Sequence, residues 1–292
     1  MSDSNNRGTI SLEDAPILSQ TAYPGNQYII RLAAPDCAQH ATPGSFAHVT
    51  CAPSVPMRRP LSLMCADAEK GWVEFLYKST GRGLALLASR EVGEFVSVLG
   101  PIGQGFETDP ARPLILAIGG GVGIPPIYFL ADQLKGHSVF ELFVLMGSEV
   151  PFPFDLATSS RAIDGIPAEV NMKVTDLAER GITSRLASNV GFSGCFKGLV
   201  TELARNWLTA LSTQRLTKVQ IVSCGPMAML EATAALAREF EVPCQVAVEE
   251  YMACGVGGCA GCTILVQTPN GPAMKRVCVD GPVFDAATIF TG

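Results

Sequence analysis

Four cysteines near the C-terminal end constrain this chain more than any other feature. They stand at Cys254, Cys259, Cys262 and Cys278, in the spacing C-x4-C-x2-C-x15-C. Three of them share one tight loop, MACGVGGCAGC at 252–262, together with Gly255, Gly257, Gly258 and Gly261. Glycines let a backbone wrap closely around a bulky group and leave N–H groups free to point at sulfur. This spacing is the opening pattern of a plant-type [2Fe–2S] site, in which four thiolates hold two irons. The fourth thiolate must be brought back to the loop. Positions 263–267 predict a short strand, TPNGP at 268–272 a turn, and 273–279 a returning strand that carries Cys278. Zinc also accepts four thiolates, but structural zinc sites favour two C-x2-C knuckles, and only Cys259 and Cys262 make such a pair. A disulfide framework needs an oxidising compartment, and the polar opening MSDSNNRGT lacks the basic-then-apolar pattern of a secretory signal. Ten cysteines in such a chain point to a cytoplasmic protein.

The 292 residues suit two or three modules, and a hydrophobic fraction of 48% is enough for real cores. A net charge of −6 and a pI near 5.2 argue against a long basic groove for nucleic acid. The segment 113–131 carries no charge across 19 residues, yet three prolines and four glycines break it into strand, loop and helix, so no membrane span is expected.

From position 10 to about 108 the chain reads as all-β. Short apolar runs at 27–32, 46–51, 61–65, 73–78 and 95–100 alternate with Pro, Gly, Asn and Asp, which favours a small barrel or sandwich. Within it, RRPLS at 58–62 sets a guanidinium three residues before a hydroxyl. An arginine fork fits phosphate oxygens, although the same string also suits a solvated strand edge. LYKSTGRG at 76–83 is a strand end, a glycine loop and the start of a helix, either a phosphate cradle or an ordinary link. From about 112, strands and helices alternate. A strand at 114–118, the loop Gly119-Gly120-Gly121-Val122-Gly123 and a helix at 124–134 suit a dinucleotide pyrophosphate, without being a G-x-G-x-x-G fingerprint. Further strands are expected at 139–146 and 219–224. The second ends in Cys224-Gly225-Pro226, where open α/β sheets bind ligands, and a helix is expected at 228–240. The stretch 151–191 receives no role. His40, His48 and His137 are scattered without an evident partner and are read as structural or exposed.

In this order, the motifs RRPLS, LYKSTGRG, LGPIGQGF (99–106), IGGGVGIPP (118–126), CGPMAML (224–230), MACGVGGCAGC and RVCVDGPVF (276–284) resemble those of the ferredoxin reductase-like flavoproteins. Within that group the chain is similar to the electron-transfer subunits of NAD-dependent dihydroorotate dehydrogenases. The resemblance covers nearly the whole length. It implies a multidomain chain with a flavin-binding β-barrel at 1–108, an α/β NAD-binding parallel-sheet domain at 109–243 and a small [2Fe–2S] domain at 244–292. It implies FAD contacts at Arg59, Pro60, Leu61 and Ser62, then at Leu76, Tyr77 and Lys78, then at Gly83 and Leu84. Leu84 stands where the family usually has threonine, which leaves the backbone N–H to make that contact. Gly120, Gly121 and Gly123 with Cys224, Gly225 and Pro226 would line the NAD(H) site. The implied activity is electron transfer in pyrimidine biosynthesis, with a separate FMN-containing catalytic subunit in a heterotetramer. A related reductase subunit serving ferredoxin, a hydrogenase or a sulfur-compound reductase would share the same modules. Val283, Phe284, Ile289 and Phe290 could add to a partner contact, or form a buried packing edge.

Overall fold

The computed structural model describes residues 6–291, so positions 1–5, part of the opening read as lacking a signal, lie outside the described residues. Two compact units emerge, Met1–Phe106 with Ala247–Val283 and Glu107–Val246 with Phe284–Gly292. The cluster segment thus groups with the barrel residues.

Six strands build the barrel: β1 Ser11–Tyr23, β2 Gln27–Ala33, β3 Phe46–Val49, β4 Arg59–Asp67, β5 Trp72–Lys78 and β6 Phe95–Ile102. They close in the order β1-β2-β5-β4-β3-β6, antiparallel throughout. Of the two architectures expected, the barrel is the one formed. β1 is the strand that the apolar runs do not reveal. It is 13 residues long, mostly half-buried or exposed, and it carries Pro16 and a register shift between Ile17 and Ser19. One end pairs with β6 and the other with β2, so this irregular strand turns the corner that closes the barrel. The core is filled by Ile17, Ile30, Leu32, Leu63, Phe75 and Ile102, all essentially inaccessible to solvent.

The second unit begins with β7 Leu114–Gly120 and β8 Glu141–Gly147, continues through the short β9 Leu156–Thr158 and β10 Met172–Val174, and then β11 Thr183–Ala187, β12 Val219–Cys224 and β13 Cys244–Ala247. The hairpin β14 Thr263–Thr268 and β15 Gly271–Arg276, next along the chain, belongs to the unit that holds the barrel, and β16 Val283–Asp285 comes last. The main sheet runs β11-β8-β7-β12-β13-β16, with β11, β8, β7 and β12 pairing in parallel. Every residue of β7 and of β12 is buried, as strands covered on both faces require. Numbered within the sheet, the order is 3-2-1-4-5-6, the doubly wound arrangement whose chain direction switches between β7 and β12.

The helix at Ile124–Leu134 and the strand Val219–Cys224 match their expected bounds, and Met227–Glu239 is shifted by one residue. The unassigned stretch 151–191 contains the β9–β10 pair and the sheet's edge strand β11. Val283, Phe284, Ile289 and Phe290 are all half-buried, which favours the packing edge over an open contact face. Among the described residues, no helix is long and apolar enough to cross a membrane.

Candidate metal centre and cofactor sites

The cysteine loop depends on left-handed backbone. Gly255 and Gly257 have φ of +68° and +79°, and Ala260 follows at +52°. This winding turns main-chain N–H groups onto sulfur: Cys259 N–H donates to Cys254 Sγ at 3.4 Å, and Gly261 N–H to Cys259 Sγ at 3.4 Å. Burial works against a thiolate at Cys254, but the N–H groups of Val256, Cys259 and Gly258 and the Cys259 thiol outweigh it and hold its pKa down to about 6.

Cys278 returns differently from the expected continuous strand. β15 ends at Arg276, and Cys278 lies on a one-turn helix, Val277–Asp280. Two contacts explain the change. The Asp280 carboxylate accepts from Arg276 N–H at 2.7 Å and folds the chain back on itself. Val277 N–H donates to the Cys262 carbonyl at 3.0 Å. The result sets Cys278 Sγ 3.3 Å from Cys262 Sγ, both buried, and burial followed by the adjacent Cys262 pushes the Cys278 thiol up to about 12. Arg276 Nη1 also donates to Gly257 O at 3.1 Å, tying the returning strand to the loop.

Among the described residues, no group of three or more His, Cys, Asp or Glu side chains converges as a single metal ion requires. A two-iron centre asks for something else, because its four thiolates divide into pairs on separate irons. The thiols fall into pairs, Cys254 hydrogen-bonded to both the N–H and the thiol of Cys259, and Cys262 beside Cys278. No cysteine is in a disulfide. The donor set therefore fits a [2Fe–2S] cluster better than one zinc.

The loop is seated on the barrel. Gln104, in LGPIGQGF, donates its N–H to Gly281 O at 2.6 Å and its side-chain amide to Val279 O at 3.3 Å. A Cβ on Gly103 would meet Pro282 Cδ at 2.4 Å, so that motif must be glycine where it grips the cluster segment. His48 lies under the loop. It is fully buried, a Cβ on Gly255 would meet its Cε1 at 2.9 Å, and neither ring nitrogen has a hydrogen-bond partner. Burial, followed by the nearby Arg58, pulls its pKa down to about 4, so the ring is neutral at pH 7. A buried polar group left unpaired in this way costs about 1–3 kcal/mol. Sequence reasoning missed His48, because the residues it meets are far away along the chain. His40 and His137 are exposed, as expected.

On the same barrel, Arg59 and Gly83 come together. A Cβ on Gly83 would lie 2.9 Å from Arg59 Nη2 and 3.0 Å from Nε, so the guanidinium crosses the first turn of the helix Gly81–Ala88. An arginine fork over a helix N-terminus with no side-chain cap is an arrangement suited to phosphate. Arg58 plays a different part and braces β6, donating to Ser97 O at 3.0 Å and Ser97 Oγ at 3.1 Å. Pro60 and Ser62 are half-buried on β4, beside the buried Leu61. Leu76 and Tyr77 are buried, and Tyr77 donates to Gln20 Oε1 at 2.9 Å while stacking on Tyr28 at 5.4 Å. These side chains belong to the core, which leaves their main chain for any ligand. Lys78 and Leu84 are half-buried.

In the other unit, Gly119 of β7 stands opposite Cys224 of β12, at the switch point of the sheet. Gly121 takes φ +55°, and a Cβ on Gly123 would meet Cys224 C and O and Gly225 N at 2.4 Å. Gly120 and Gly225 both abut Met229, at 2.5 Å from any added Cβ. The two expected segments, 120–123 and 224–226, are thus one site of closely packed main chain. Cys224 itself is buried.

A closed antiparallel barrel with an arginine over a helix start, joined in one chain to a doubly wound parallel sheet, defines the ferredoxin reductase-like class. The NADH-dependent reduced ferredoxin-NADP oxidoreductase structure shares this fold, with a TM-score of 0.75, 23% identity and coverage of 95% of this chain and 90% of that one. A ferredoxin NADP+ reductase from Neisseria gonorrhoeae with bound FAD and NADP shares it at a TM-score of 0.57 and 16% identity, covering 80% of this chain and 92% of that one. Residues 249–290 match the iron–sulfur cluster binding domain of dihydroorotate dehydrogenase B. The electron transfer subunit of dihydroorotate dehydrogenase B (NAD(+)) from Bacillus cereus is 33% identical over 275 residues, 92% of this chain and 94% of that protein. The one from Desulforamulus reducens is 30% identical over 275 residues, 93% and 95% of the two chains. The chain belongs to this family of electron-transfer subunits.

Proposed function

We propose that this chain passes electrons between the FMN of a catalytic partner, where dihydroorotate is oxidised for pyrimidine biosynthesis, and NAD+. The observation that carries this reading is that the cysteine loop and the Arg59–Gly83 site belong to one compact unit, so cluster and flavin elements share a scaffold. When bound, FAD supplies hydride exchange and one-electron release, and the [2Fe–2S] centre supplies one-electron carriage. Three functional modules, 1–108, 109–243 and 244–292, divide this work.

Arg59 and the N–H groups around Gly83 hold the FAD pyrophosphate. Pro60, Leu61 and Ser62 lie along the flavin. Leu76, Tyr77, Lys78 and Leu84 add main-chain contacts, with the Tyr77 phenol kept protonated by burial, its largest influence, followed by Tyr28 and Cys51. Gly120, Gly121 and Gly123 with Cys224, Gly225 and Pro226 admit the NAD(H) backbone where side chains would exclude it. Cys254, Cys259, Cys262 and Cys278 ligate the cluster.

The partner is an FMN-containing dihydroorotate dehydrogenase catalytic subunit, paired with this chain in a cytoplasmic heterotetramer. An eight-stranded (β/α) barrel takes about 250 residues, and no such barrel occurs among the described residues. Leu265 and Met274, directly opposed on β14 and β15, are 55% and 60% exposed on the hairpin that returns Cys278. Two adjacent exposed apolar side chains beside the cluster suit a partner contact.

The test is reconstitution. The chain alone gives no dihydroorotate-dependent NADH, and adding the FMN subunit starts turnover. Leu265→Asp with Met274→Asp raises the partner concentration needed by about tenfold or more, the equivalent of one lost apolar anchor. Dihydroorotate turnover by the chain alone would contradict the proposal, as would inactivity with a fully loaded FMN partner.

A further inference from the structure

His48 sits where the flavin strand and the cysteine loop meet. In the barrel it lies on β3, directly opposite Pro60 of β4, one position from the Val49–Arg59 pair. On its other side, the Gly255 position is 2.9 Å from Cε1 and 3.1 Å from both Nδ1 and Nε2, measured from a Cβ built there. Near-equal distances to all three atoms mean that the loop packs on the face of the ring over its Cε1 end, which leaves the two nitrogens pointing sideways in the ring plane, one on either side. Gly255 directly follows Cys254, whose thiol the loop N–H groups surround. Phe46 flanks the ring at 5.9 Å, and the Arg58 guanidinium approaches the His48 carbonyl, at 3.5 Å from Nη1.

A neutral imidazole has one N–H donor and one acceptor nitrogen. Here both nitrogens are shut from solvent and unpartnered in a chain whose dominant feature at that point is a sulfur-rich loop. Hydrogen bonds to the sulfurs of an iron–sulfur cluster are among the factors that set its reduction potential, since they stabilise the more negative, reduced state.

We propose that His48 is a positioning residue for the cluster, donating its single N–H to a sulfur of the [2Fe–2S] centre and so raising that centre's reduction potential. The inference rests on the cluster assignment above. It explains why an imidazole is buried without a protein partner, and why the loop has glycine where it packs on the ring. Phenylalanine would fill the same cavity without the donor, and glutamine would restore an N–H.

Pulsed electron paramagnetic resonance on the intact, reduced protein, labelled with nitrogen-15 histidine, tests this without any substitution. His40 and His137 are exposed, so a coupled histidine is assigned to His48. A weak nitrogen-15 coupling on the cluster signal is expected. Redox titration of His48→Phe is expected to show a cluster about tenfold harder to reduce, which is about 59 mV for a one-electron couple, with an unchanged flavin potential. His48→Gln should recover part of that shift. A normal cluster signal with no nitrogen-15 coupling overturns the inference, as does coupling found only on the flavin. An unchanged potential in a loaded His48→Phe protein does the same. If that variant fails to load, the labelled native protein decides. Absence of any cluster signal in the native protein overturns the metal assignment and this inference together, which separates the two failures.

Discussion

Arg59→Ala is expected to release FAD more readily than any other single Arg→Ala change in the barrel. The guanidinium lies across Gly83 at the start of the helix Gly81–Ala88, so a phosphate held there meets a forked cation and free main-chain N–H groups at once. Charge-assisted bonds of this kind are each worth about 1.5–3 kcal/mol, and losing one weakens binding by about 10- to 100-fold. Arg58→Ala is the informative control. Arg58 braces β6 through Ser97, so its removal acts mainly on barrel stability. Equilibrium dialysis of the two variants separates these effects. If Arg59→Ala keeps full flavin occupancy on dilution, the flavin site is elsewhere.

Cys254→Ser is expected to divide the activities. The substituted loop loses one of the four thiols, and serine oxygen is a poorer partner for iron than thiolate sulfur. Arg59 and Gly83 lie on the strand and helix of the barrel wall, and the glycine site at 120–123 lies in the other unit. NADH oxidation with a dye that accepts from FAD should therefore survive. Transfer onward to the FMN partner should fall by orders of magnitude, because the carrier is missing. A folded, flavin-loaded variant that loses both activities equally would contradict this order of carriers.

The parts of the chain that were legible in sequence are those where local chemistry dictates structure. Pro125 and Pro126 fix the start of a helix after Gly123, and that helix begins and ends where the sequence places it. The spacing of Cys254, Cys259 and Cys262 sets one loop whatever surrounds it. Two other parts depend on contacts that no window of sequence contains. β1 is irregular and half-exposed, and it becomes a strand through simultaneous pairing with β2 and β6. β11 gains its place at the sheet edge by pairing with β8, through a segment whose apolar residues carry no clear period.

At Cys278 the local signal misled, since alternating residues read as strand up to 279, while the Asp280 carboxylate capturing Arg276 N–H turns the chain into one helical turn. The two site arginines look alike in RRPLS, and only tertiary partners distinguish them: Ser97 for Arg58, Gly83 for Arg59. His48 was illegible for the same reason. Its strand gives no hint of a loop that arrives from the far end of the chain, and its place beside the cysteines is visible only where Gly255 meets the ring.

The central claim is that the paired thiols of Cys254, Cys259, Cys262 and Cys278 hold two irons, and the most direct measurement is the metal and acid-labile sulfide content of protein purified from its own cell without added metal. About two irons and two sulfides per chain, with a reduced-state paramagnetic signal lost in Cys254→Ser, are the values the cluster requires. One zinc per chain with no labile sulfide would contradict it.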